Sequence, residues 1–150
     1  KDTIYMVQGK ASIYNNGSNS FQDNDTITSS LLMDGRYIGP PIYFFFVLNT
    51  DRLTDHSQLV NLDGIARIAQ KYGLRIQIIG AADSATGNDS INNGLSQRRA
   101  SYMAGQLRER GVDTCMIETV SVGGINDYNP TEANRNACVR LLWPSSDTKD

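Results

Sequence analysis

A chain of 150 residues, 39% hydrophobic and 20% charged, has the size and composition of one globular domain with room for a real core. Its formal net charge of −2, with no long basic run, argues against a nucleic-acid partner held through phosphate neutralisation. The longest apolar run, Ile42 to Leu48, has strand length and is too short to span a bilayer.

The chain starts at Lys1 without a signal peptide, so it reads as a mature or trimmed fragment, with any membrane contact made by a region outside it. Lys1 to Gly39 is rich in Ser, Thr, Asn and Asp and holds short β-prone pieces such as Thr3–Val7. Turn signals at Asn15-Asn16-Gly17-Ser18 and Asp34-Gly35 predict two or three short strands or hairpins there. Pro40-Pro41 marks a boundary, and the apolar run from Ile42 to Leu48 then predicts a buried central strand. Asn49 follows it, either as a polar cap on the strand end or as a ligand contact.

A helix is expected from Ser57 to Lys71, with Leu59, Leu62, Ile65, Ala66 and Ala69 as its apolar stripe and Gly73 as its stop. His56, the single histidine, stands just before it as a surface or capping residue. The next strand, Leu74–Ile79, ends at Gly80 and runs into a small polar loop from Ala81 to Gly87. Asp83 is thus a lone carboxylate just past a strand's carboxyl end, where ligands collect in α/β sheets. A second helix, Asn92 to Arg110, has Ala100, Met103, Ala104 and Leu107 for its core stripe. Asn92, Leu95 and Arg99 fall at i, i+3 and i+7 and share another side, while Arg98 points about a third of a turn away. A third strand, Met116–Val122, is stopped by Gly123-Gly124; Asn129-Pro130-Thr131-Glu132 then reads as a turn and helix start. The last strand is Ala137–Trp143, with a polar tail beyond it.

Cys115 and Cys138 lie on or beside predicted strands, as either a bridge or two separate thiols, and their spacing fits no metal site. Catalytic patterns are missing: Gly80 and Gly87 do not make a dinucleotide or phosphate loop, Ser96 is not in G-x-S-x-G, and no carboxylate pair has a catalytic context. The sequence therefore predicts a binding module with no enzyme activity, no cofactor and no metal.

Gly80-Ala81-Ala82-Asp83 followed by Gly87, then Asn92-x-x-Leu95-Ser96-x-x-Arg99-Ala100, resembles the signature of the OmpA-like peptidoglycan-binding domain. That family's usual pattern is Gly-His/Tyr-Thr/Ala-Asp, a short loop to Gly, then Asn-x-x-Leu-Ser-x-Arg-Arg-Ala, and the match extends over roughly residues 41–143. The resemblance places Arg99 on the family's binding arginine. Asn134-Arg135 stands where the family commonly has Asn-Arg-Arg-Val, with Asn136 in place of the second arginine. Other departures are Leu48 for a Phe, Ala81 for His or Tyr, Ala82 for Thr, and a loop one residue longer than usual.

From Pro41 the order strand, helix, strand, helix, strand, strand implies an α+β, two-layer fold: a mixed sheet with helices packed on it and a hairpin-like return. Three parts are expected: a β-rich extension of unassigned role at 1–40, the OmpA-like domain at 41–145, and a flexible tail at 146–150. The resemblance implies peptidoglycan as partner, met through the diaminopimelate zwitterion of the stem peptide in the periplasm of a Gram-negative bacterium, near the outer membrane. Asp83, Arg99, Asn92, Leu95, Asn49 and Arg135 are the expected ligand-binding residues. Asp83 would accept from the ammonium, and Arg99 would offer two N–H groups to the carboxylate. The alternative is a protein-interaction module docking other envelope proteins, with no wall ligand.

Overall fold

A computed structural model describes residues 2–7, 10–13, 32–33 and 37–144. In chain order the elements are β1 (Asp2–Val7), β2 (Lys10–Ile13), β3 (Leu32–Met33), β4 (Tyr37–Phe45), α1 (Leu59–Tyr72), β5 (Arg75–Asp83), α2 (Asp89–Glu109), β6 (Ile117–Ile125), β7 (Tyr128–Asn129) and β8 (Asn136–Leu142). The main sheet has the order β3-β4-β8-β5-β6, and β2-β1-β7 form a small second sheet. From β4 onward the order is the expected one with one addition, the two-residue β7, which pairs with β1 where a turn is expected to begin at Asn129. The fold is α+β with helices packed on a mixed sheet.

The direction of the last strand matches expectation, but its place does not follow a hairpin. β8 is antiparallel to both β4 and β5 and lies between them, so β6, parallel to β5, is left at the edge. The reason is burial. Ala137, Val139 and Leu141 face the main core while Asn136 and Leu142 are also buried, which suits a central position rather than an edge. This order also settles the cysteines. Cys138 is in β8 and Cys115 in the 3-10 turn before β6, with β5 intervening, and both thiols are free.

Several boundaries move for the same reason, that backbone pairing extends a strand past its local sequence signal. β4 starts at Tyr37, ahead of the boundary set at Pro40-Pro41. The prolines are tolerated because the register with β8 shifts between Ile38 and Ile42, where ladder donors are not required. β5 runs through the expected loop to Asp83, and β6 runs past Gly123-Gly124 to Ile125, because Ala82 pairs with Gly124 and Asp83 with Ile125. The expected helix from Ser57 splits into a 3-10 turn, His56–Gln58, and α1, which Gly73 closes in the left-handed conformation, φ +65°. His56 is exposed in that turn, and Asp55 caps it. The turn signals at 15–18 and 34–35 and the tail at 146–150 lie outside the described residues.

Alternation along β4 gives it two buried faces. Phe44 and Phe46 join Leu62, Ile65, Ile76, Ile78, Met103 and Leu107 in the main core, whereas Phe45 meets Ala133 on the other side. Helix α2 crosses β5 at Gly80. A Cβ there would sit 1.9 Å from the Ser96 carbonyl oxygen and 3.0 Å from the Ala100 nitrogen, so only glycine admits the helix this close.

Candidate ligand-binding site

Strand direction brings the site together. The carboxyl ends of β4 and β5 and the amino end of β8 share one sheet edge, where Phe45 pairs with Asn136 and Gly80 with Ala137. Helix α2 starts at that edge; the side chain of Asn88 caps it, accepting from the Ile91 N–H at 2.9 Å.

Asp83, the last residue of β5, is 2% exposed. Its Oδ1 accepts from the Ala85 N–H at 2.9 Å and its Oδ2 from the Arg135 Nε at 2.8 Å, with the Thr86 hydroxyl at 3.3 Å. Arg135 approaches from just ahead of β8. Its N–H donates to the Glu132 carbonyl and its own carbonyl accepts from the Phe46 N–H. The preceding Asn134, 1% exposed, fixes this corner: Oδ1 accepts from the N–H groups of Asp127 and Tyr128, and Nδ2 donates to the carbonyls of Tyr128 and Thr131.

Arg99 is wholly buried. Nε donates to the Thr50 carbonyl at 2.8 Å, Nη1 to the Ala81 carbonyl at 2.9 Å and Nη2 to the Val47 carbonyl at 3.3 Å, and the guanidinium lies 5.4 Å from the centre of the Phe46 ring. Among the described residues no carboxylate forms an ion pair with it. Burial, and then the like charge of Arg135, lower its pKa to about 10, against the favourable fields of Asp83 and Asp51. A buried guanidinium whose hydrogen bonds go to carbonyls rather than to a carboxylate is a costly arrangement for structure by itself.

The other expected residues divide. Asn92 is 4% exposed and donates through Nδ2 to the Thr86 carbonyl at 3.0 Å, tying the β5–α2 loop to the helix. Leu95 is buried on the same helix side as Asn92 and Arg99, whereas Arg98 is exposed. Asn49 is exposed at the tip of the turn after β4, with φ +62°, and contacts neither Asp83 nor Arg99 directly. The turn it makes, closed by Thr50 N–H to the Val47 carbonyl, points both Val47 and Thr50 carbonyls at Arg99. Asn136 turns to the Ala133 carbonyl instead of taking the family arginine's place at the edge. Sequence reasoning missed the three carbonyls on Arg99 and the loop contact of Thr86. Backbone acceptors leave no mark in residue identity, so no signal was there to find.

An acid and two guanidiniums gather at one edge of the sheet on an α+β scaffold. Residues 45–138 match the OmpA family, and the chain belongs to it. It is 36% identical over 77 residues to the Escherichia coli (strain K12) protein named "Probable lipoprotein YiaD", covering 51% of this chain and 33% of that one. It is 33% identical over 73 residues to "Outer membrane protein 40" of Porphyromonas gingivalis (strain ATCC BAA-308 / W83), covering 49% of this chain and 19% of that one. The chain thus spans about a third and a fifth of those two relatives. The fold is also that of the peptidoglycan-associated lipoprotein from Burkholderia pseudomallei, with a TM-score of 0.54 and 22% identity over 66% of this chain and 88% of the other.

Proposed function

We propose that this chain binds peptidoglycan without covalent chemistry, through the diaminopimelate zwitterion of the stem peptide, and so anchors the outer membrane or an envelope protein to the cell wall. The observation that carries this reading is the buried Arg99 guanidinium, which forms no ion pair with a carboxylate among the described residues and lies within the field of the buried acid Asp83. A ligand carboxylate would supply the missing counter-charge, and Asp83 would accept from the ligand's ammonium. Membership of the OmpA family supports the assignment, as does the likeness to a protein titled peptidoglycan-associated lipoprotein. The relatives' names, a lipoprotein and an outer membrane protein, support a periplasmic setting near the outer membrane.

Both charged groups are covered, so entry of the ligand requires the turn from Val47 to Thr50 to give way, exchanging carbonyl bonds for a carboxylate. Each charge-assisted hydrogen bond contributes on the order of 1.5–3 kcal/mol, so one site binds modestly and a polymer of repeated stem peptides gains retention through avidity. Asn92 and Leu95 form the helical wall of the site, Arg135 stands at its mouth and Asn49 shapes the turn.

Calorimetric titration with diaminopimelate, with lysine as the control lacking the second carboxylate, tests the reading. Heat with diaminopimelate alone is the expected result, and equal heats from both ligands would remove the role given to Arg99. Retention on purified sacculi should be lost in Asp83→Asn at a temperature where that variant is folded. Retained wall binding there would sink the assignment of Asp83, and partner capture without wall binding would favour a protein-docking module.

A further inference from the structure

The ion pair between Asp83 and Arg135 has a consequence for how the site opens. Asp83 has a side chain only 1% exposed, whereas that of Arg135 is 20% exposed, so the guanidinium covers the acid on its solvent side. The contact runs through Nε, at 2.8 Å, rather than through the paired fork that makes the strongest guanidinium–carboxylate bonds. Arg99, the other cation near Asp83, is wholly buried and donates to three carbonyls. Arg135 is the opposite case: its backbone is fixed at both N–H and carbonyl, while its side chain is partly exposed to solvent.

We infer that Arg135 is a built-in latch that occupies the ammonium position on Asp83, so that an incoming ligand ammonium displaces its side chain from the acid. This rests on the wall-binding reading of the same site. An ammonium is a compact charge with three donors, suited to reach a recessed carboxylate once the broader guanidinium has left. With the latch closed, apparent affinity falls by the fraction of molecules that are open, and removing the latch recovers that factor.

The test is calorimetry of diaminopimelate on the wild-type chain, on Arg135→Gln and on the double variant Arg135→Gln, Asp83→Asn. The expected result is binding about tenfold tighter in Arg135→Gln than in wild type, as for an open fraction near one in ten, and lost again in the double variant. Equal or weaker binding in a folded Arg135→Gln, with wild type still binding, would overturn the latch and leave the wall-binding reading standing. No binding by either protein would overturn both. Should Arg135→Gln fail to fold, the wild-type Arg135 Nε–H resonance decides. It should shift and exchange faster with water at saturating diaminopimelate, and an unchanged signal under saturation overturns the latch.

Discussion

One arginine at the middle of helix α2 and another just past its last residue are used in opposite ways. Arg110, at the carboxyl end, makes a 2.6 Å ion pair with Asp63, yet the side chains are 23% and 61% exposed. Arg99, at the middle of the helix, forms no ion pair with a carboxylate among the described residues and is wholly buried. The shorter contact is the weaker stabiliser, because water and salt screen it and two long side chains lose freedom to make it. The buried cation has no such relief. Its three carbonyl partners tie the exit of β4 to the end of β5.

The largest expected effect comes from the packing that sets this contrast up. In Gly80→Ala the new methyl would meet backbone of α2 on the turn that carries Ser96 and Arg99, and the helix would have to move. A loss of about 3 kcal/mol or more in urea unfolding is expected, with wall binding lost as well; near-wild-type stability would show that the helix can shift cheaply. Arg99→Met keeps the bulk but takes the guanidinium donors from three carbonyls, of which that of Val47 keeps its bonds from Thr50. It should cost about 2–3 kcal/mol in the same measurement while abolishing diaminopimelate heat. A stabilised variant would mean that the buried charge is a net burden the fold tolerates for binding.

Burial of neutral groups gives a smaller, pH-dependent effect. Tyr43 and Cys138 are both pushed up by burial, Tyr43 well above the ordinary phenol value of 10.0 and Cys138 from 9.0 to about 11. The folded state therefore holds protons that the unfolded chain releases, and the stability this gives is complete below pH 9 and falls as pH rises toward 11. Urea midpoints across that window should report a decline of about 1–2 kcal/mol, reduced in Cys138→Ala to the part that Tyr43 contributes. Least of all, Arg110→Ala should change stability by less than about 0.5 kcal/mol, and the change should fade in high salt. A loss comparable to that of Arg99→Met would break the comparison between the buried and the exposed arginine.

Much of the architecture was legible in the residues. The apolar stripe from Leu59 to Ala69, the Gly73 stop and the shared side of Asn92, Leu95 and Arg99 follow from a 3.6-residue period, and both helices contain those stretches. Helix α2 nevertheless opens at Asp89, ahead of the expected Asn92, where the Asn88 cap sets its start. Asp83 at a strand end and Arg99 on the next helix could be paired from the family pattern. The course of β8 between β4 and β5 could not, because strand order depends on which faces are buried by the whole assembly. Nor could the extensions of β5 to Asp83 and of β6 to Ile125, which come from partners across the sheet.

By itself, the sequence determined which segments are helix and strand, and which charged side chains stand near one sheet edge, since periodicity and chain connectivity are local properties. Only the tertiary structure decided how those charges are spent: Arg135 on Asp83, Arg99 on the carbonyls of Val47, Thr50 and Ala81. A hydrogen bond is made by whichever donor and acceptor the packed backbone brings within about 3 Å, and that pairing is a property of distance in space, which residue order does not encode.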